Sequence, residues 1–290
     1  MRLRVRHATR YRYTTPVDLG SHMLHLSPRC LPHQRVIWDR IAAQPPALST
    51  SESLDHFGNR VTWLSLEQPH AAFDVVAEAL VEVQFPAPPD PLATPAWEDV
   101  AAQARQGGPE AWEAAEFGFD SPMAPADPDA GAYVAPCLSR RRPILEALLD
   151  LNGRIRRDFA FRSGVTTIRT PVSRVMAQRA GVCQDFAHVM IAGLRAHGLP
   201  ARYVSGYLRT RPPPGGKRRR GVDQSHAWVG CWLGPAHGWV DLDPTNDLVV
   251  REEHVVLGWG RDYGDVSPVR GIILGGGKHA LSVSVDLDEE

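Results

Sequence analysis

The chain has little that would tie it to a membrane, a nucleic acid, a metal or a disulfide framework. Among its 290 residues no apolar run approaches the roughly 20 needed to cross a bilayer. The N-terminal MRLRVRHATRYRY alternates Arg with apolar residues and lacks the continuous apolar stretch of a signal peptide, so it reads as a strand and the expected location is cytoplasmic. Charge of one sign is missing as well. Lys+Arg 32 against Asp+Glu 33 leaves a formal net charge of -1, which gives no general pull toward nucleic acid or an anionic membrane. The only cysteines are Cys30, Cys137, Cys183 and Cys231, and they form no C-x-x-C pair. That spacing argues against both a zinc site and a disulfide framework. The 12 histidines are scattered and pair with no carboxylate at ligand spacing, so neither metal nor cofactor is expected. No internal repeat is visible.

What is present is a globular composition, 43% hydrophobic and 22% charged, in a chain long enough to bury a real core. Residues 1–85 read as β-rich. Leu3 and Val5 alternate with Arg2, Arg4 and Arg6, and strand-like runs follow at Arg35–Trp38, Arg60–Leu66 and Ala79–Phe85, separated by turn chemistry such as Phe57-Gly58-Asn59. Pro86, Pro88, Pro89, Pro91 and Pro95 mark a boundary, so residues 86–136 are expected as a Pro-rich linker with short helices. Residues 137–290 then form the larger unit, closed by the alternating LSVSVDL strand. Ile144, Leu148, Leu151 and Ile155 share one helical face. Thr170-Pro171 supplies an N-cap and first position for a helix running to about Arg179. The segment Cys183–His197 is a further helix, ended by Gly198 with Pro200 beyond. Strands are expected at Arg202–Leu208, His226–Leu233 and Trp239–Asp243. Helices first and antiparallel strands after them give an α+β class.

Cys183 opens its helix on the side of Phe186, Ala187, Met190, Ile191 and Leu194. A helix N-terminus has a positive partial charge and unpaired N–H groups, which favour a thiolate and an oxyanion. Taken alone, a free cysteine more often ends up as buried core. His226 supplies a base. It opens a run in which His226, Trp228, Gly230 and Trp232 face one way, while Ala227, Val229, Cys231 and Leu233 face the other. After a Gly-Pro turn, Trp239, Asp241 and Asp243 share a face of the returning strand. In a hairpin Asp243 falls opposite His226 or about two residues off, within reach for orienting the imidazole. Thiol, base and orienter are the three roles that nucleophilic catalysis requires.

In that order, RAGVCQDFAH, SHAWVGCWL and GWVDLDPTND resemble the bacterial transglutaminase-like proteins, often described as candidate cysteine proteases. The opening VRHATRYRYTTPV is similar to the β-rich domain that precedes their core, and GRDYGDVSPVRG to the stretch that follows it. The resemblance implies a papain-like core, a Cys-bearing helix packed on an antiparallel sheet. It also implies Cys183 as nucleophile, His226 as general base and then acid, and Asp243 as orienter. Asp241 is the rival by parity, and the family pattern favours the Asp before Pro-Thr-Asn. Animal transglutaminases carry Trp directly after the cysteine, where this chain has Gln184, which weakens the case for protein cross-linking.

The reading that follows is thiol-dependent acyl transfer on amide bonds of peptides or proteins through a thioester. Hydrolysis as a peptidase or amidase comes first. Transfer to an amine and a non-catalytic binding module are the alternatives. The expected partner is a peptide or protein substrate, with no nucleic acid and no membrane. One oxyanion donor is the Cys183 backbone N–H. Gln178 is a weaker candidate for the other, reading better as a polar residue on the exposed side of its helix. Asp185 reads as helix-start charge, His188 as facing away from the thiol, and Cys231 as core. Arg261, Asp262, Tyr263 and Arg270 read as a structural polar cluster. The basic run Lys217-Arg218-Arg219-Arg220, after Arg211–Gly216, reads as a solvated loop ahead of His226.

Overall fold

A computed structural model describes residues 1–109, 111–210 and 224–290. The first strands are β1 (Arg2–Leu24), β2 (Gln34–Gln44), β3 (Ser49–Leu54), β4 (Arg60–Leu66) and β5 (His70–Val83). In β1 the alternation seen in the sequence becomes geometry: Leu3 and Val5 are buried while Arg2 and Arg4 face water. The strand continues past Pro16, beside a register shift between Arg12 and Val17 where the lost N–H costs no ladder bond. The first half of β1 lies between β5 and a strand from the far end of the chain, and the second half between β4 and another.

After the proline stretch come α1 (Trp97–Gln106), α2 (Trp112–Glu116), α3 (Pro128–Val134) and α4 (Ile144–Asp158). Ile144, Leu148, Leu151 and Ile155 of α4 are all fully buried, as their spacing requires. Two short strands, β6 (Ala160–Phe161) and β7 (Ala180–Gly181), pair in parallel around α5 (Val172–Gln178). α5 starts one residue later than its sequence signal. Pro171 is the extended N-cap rather than the first helical residue, and the Thr170 hydroxyl accepts from the Thr167 N–H within the preceding turn. α6 (Cys183–Arg195) begins at the cysteine itself. Its end is tighter than expected, with His197 and Gly198 N–H bonding back three residues and Gly198 at φ +73 reversing the chain.

A five-stranded antiparallel sheet follows, made of β8 (Ala201–Leu208), β9 (Gln224–Trp232), β10 (Trp239–Asp243), β11 (Leu248–Val249) and β12 (His254–Gly260) in the order β11-β10-β9-β8-β12. α6 packs against β8 and β9. Two strands then complete the first sheet: β13 (Val269–Gly275) and β14 (His279–Glu289). The expected C-terminal strand therefore forms, but its partner is β1, with Leu3 opposite Glu289 and Tyr13 opposite His279. One buried cluster joins Leu3 and Val5 to Tyr207 of β8, Val255 of β12, and Val285 and Leu287 of β14. Both sheets share that apolar core. An α+β unit follows a β-rich N-terminal region, as the sequence leads one to expect.

Candidate active site

Cys183 is the first residue of α6, half-buried, after Val182 in extended backbone. The helix start is held by Asp185, whose carboxylate accepts from the Val182 N–H at 2.7 Å and from the Thr166 hydroxyl at 2.7 Å. Burial pushes the Asp185 pKa up, against those two hydrogen bonds. The structure thus gives Asp185 a capping role and keeps it off the thiol.

His226 sits on β9 directly opposite Gly206 of β8. A side chain on Gly206 would strike the Val255 carbonyl and the Trp228 ring, so this close approach needs glycine. The β9–β10 register pairs Leu242 with Val229, which sets Asp243 diagonally across from His226. His226 Nε2 then meets Asp243 Oδ2 at 2.7 Å, and the two groups are 6% and 0% exposed. Asp243 also accepts from the Thr245 N–H at 2.9 Å, the Asn246 N–H at 3.2 Å and Asn246 Nδ2 at 2.7 Å. Burial alone would raise its pKa. The hydrogen bonds from His226 and Asn246, with the His254 imidazole nearby, reverse that and hold it well below the usual carboxylate range. For His226 burial works the other way, and the hydrogen bond with Asp243, with Cys183 nearby, overrides it and holds the imidazole well above its ordinary value. With Nε2 committed to Asp243, Nδ1 is the ring nitrogen left for the thiol. Cys183 and His226 line one cleft, with Asp243 buried behind the imidazole.

His254, at the start of β12, joins the site without any local motif in the sequence. It is buried, its Nε2 is 3.5 Å from Asp243 Oδ2, and its ring stands edge-on to Trp228. His226, Asp243 and His254 bring two imidazoles and a carboxylate within 4.8 Å of one another, a grouping in space that no spacing along the chain reveals. The sequence lacked the signal because the β8–β12 pairing, not a local motif, delivers His254.

Asp241, the rival, accepts from Trp228 Nε1 at 3.0 Å and lies 3.7 Å from buried Arg202, which stacks on Trp239 and Trp259. Gln178 donates to the Ala180 carbonyl at 2.7 Å, so its amide is occupied away from the cleft. Gln184 donates to the Ile168 carbonyl at 3.3 Å and lines the cleft. His188 is buried, accepts from the Tyr263 N–H, and is pushed down to about 4 by burial, so it stays a neutral acceptor. Cys231 is buried core. The C-terminal polar residues do not form one cluster. Arg261 pairs with Asp265, Asp262 accepts from the Met123 and Gly264 N–H groups, Tyr263 lines the cleft, and Arg270 lies on β13. The basic run Lys217–Arg220 and the stretch Arg211–Gly216 lie outside the described residues.

Comparisons with known proteins give the family and the fold. The family profile of the bacterial transglutaminase-like N-terminal region matches residues 3–82, and that of the transglutaminase-like superfamily matches residues 132–244. An uncharacterized protein of Mycobacterium tuberculosis is 41% identical over 290 residues, covering 99% of this chain and 92% of its own. One of Mycobacterium leprae is 32% identical over 287 residues, 99% of this chain and 98% of its own. A protein-glutamine gamma-glutamyltransferase of Pseudomonas aeruginosa is 44% identical over 69 residues, 23% of this chain and 10% of its own. The fold is shared with a crystal structure of a candidate cysteine protease from Cytophaga hutchinsonii, at a TM-score of 0.76 and 20% identity over 99% of this chain and 90% of that one.

Proposed function

Because this chain belongs to the transglutaminase-like superfamily, with the N-terminal region of its bacterial members, we propose that it is a thiol-dependent acyl-transfer enzyme acting on amide bonds of peptides or proteins. In this reading Cys183 is the nucleophile, His226 the general base and then acid, and Asp243 the orienter. The observation that carries it is the buried 2.7 Å contact between His226 and Asp243, beside a cleft that His226 and Cys183 both line. His226 takes the thiol proton, and the thiolate attacks the amide carbonyl. The protonated imidazole then delivers that proton to the departing amine. A thioester remains on Cys183, and water attacks it with His226 again as base, making the enzyme a peptidase or amidase. The proposal includes a reducing, cytoplasmic setting, in which all four cysteines stay thiols.

The alkylation test is direct. Iodoacetamide should label Cys183 at least about tenfold faster than exposed Cys30, and His226→Ala should abolish that advantage. Equal labelling would point instead to a non-catalytic binding module on the same fold. A second reading, transfer to an amine, is favoured by the segment shared with the Pseudomonas aeruginosa glutamyltransferase. Incorporation of a labelled amine into a Gln-donor peptide, against hydrolysis of the same peptide, separates the two.

A further inference from the structure

The cleft over Cys183 encloses about 330 Å³, and its two sides come from different parts of the chain. Cys183, His226 and Tyr203 belong to the helix and the five-stranded sheet. Facing them are Tyr11 of β1 and Leu281 and Val283 of β14, from the other sheet. Among the described residues no Lys, Arg, Asp or Glu lines this space. Beside the His226 imidazole, three of its ionisable groups are kept neutral by burial. His7 is pinned between the Tyr207 hydroxyl and the Thr9 hydroxyl, both at 2.9 Å, and burial pushes it down to about 4. Burial also raises the Tyr11 and Tyr203 hydroxyls above their ordinary value.

The two aliphatic residues are an anomaly of their strand. Leu287, Val285, Val283 and Leu281 fall on one face of β14 at a spacing of two. The first two are fully buried in the core shared by both sheets, yet Val283 is 48% and Leu281 54% exposed. The β1–β14 register sets Leu281 opposite Tyr11 and Val283 opposite Thr9, so the stripe runs out of the core and across the cleft wall. Adjacent exposed aliphatics on a regular strand, bordering a nucleophile, are what a surface covered by ligand looks like.

We propose that Tyr11, Leu281 and Val283 form a subsite for an uncharged, apolar side chain of the acyl donor. Against Tyr11, Leu281 and Val283 a charged side chain would lose its water without a counter-charge among the described residues of that wall, which disfavours acidic and basic donors. The proposal rests on Cys183 being the nucleophile. Peptidyl chloromethyl ketones of one warhead and differing side chain test it, because thiolate attack forms the S–C bond and expels chloride whatever the side chain. Probes bearing Leu or Phe should alkylate Cys183 at least about tenfold faster than probes bearing Asp or Lys, read by intact mass and peptide mapping. In Leu281→Lys and Val283→Asp that ratio, taken within each variant so that general losses cancel, should fall toward one. Ile272→Lys, an exposed aliphatic of β13 outside the cleft, should keep it. Equal rates in the unaltered protein, preference for the acidic probe, or an unchanged ratio in both cleft variants would overturn the subsite. Failure of iodoacetamide to favour Cys183 would instead sink the nucleophile reading on which it stands.

Discussion

Asp243 is the residue on which most of the site's polar geometry converges, accepting from a side chain on β9, two backbone N–H groups and the Asn246 amide while wholly buried. Asp243→Asn should lower amide-cleaving activity by about 10²- to 10⁴-fold, since the imidazole loses its anionic partner but not its place. The pH profile should change too. A raised His226 keeps its proton to high pH, so the alkaline limb belongs well above pH 6.5 in the parent and should move to lower pH in Asp243→Asn. An unshifted limb would count against His226 as the acid. Asn246→Ala, which removes a 2.7 Å bond, should cost more activity than His254→Phe, which removes a 3.5 Å contact. The sequence made Cys183, His226 and Asp243 legible because each lies in a local pattern: a helix start, an alternating strand, a strand end before Pro. Asn246 lies in the same GWVDLDPTND motif. His254 has no such pattern, and it matters only through a pairing across the sheet.

At the scale of elements, periodicity told the truth about what was buried and less about where elements end. α4 is the clearest case, and Leu148→Ala should destabilise by about 2–5 kcal/mol, measured as a lowered denaturant midpoint at constant slope. Gly206→Ala should cost comparably or prevent accumulation of folded protein. It sits mid-strand, where sequence reading sees only a weak strand former, but where the structure passes the Trp228 indole across β8. β3 escaped the sequence reading because STSESL is exposed throughout and has no apolar alternation to detect. β2 and β5 ran longer than their apolar cores, since ladder bonds to neighbours extend a strand beyond the residues that bury. The partner of β14 was illegible for the same physical reason. Alternation says that a strand has two faces and is silent on which edge it joins.

The molecule as a whole should be sensitive to mild acid. Burial lowers His7, His22 and His188 from 6.5 to about 4, so the unfolded chain takes up protons before the folded one does. Stability from these groups is therefore complete above about pH 6.5 and drains away as pH falls toward 4, by roughly 3 kcal/mol each for His7 and His188 at full protonation. His226 runs the opposite way, its contribution present below pH 6.5 and lost only in alkali. A Tm that falls steeply between pH 6.5 and 4.5 is the expected result, and a flat one would mean these histidines are hydrated. One further property follows from where the cleft wall comes from. Arg4 pairs with Glu290 across 286 positions of sequence, and β14 zips onto β1 beside it. A ribosome adding about 5–20 residues per second needs roughly 15 to 60 s to travel that far. Through that interval β1 waits with an open edge, and Cys183 emerges before the wall that faces it. Under the reading proposed above, the nascent chain carries its nucleophile before it has the apolar wall that would choose among amides.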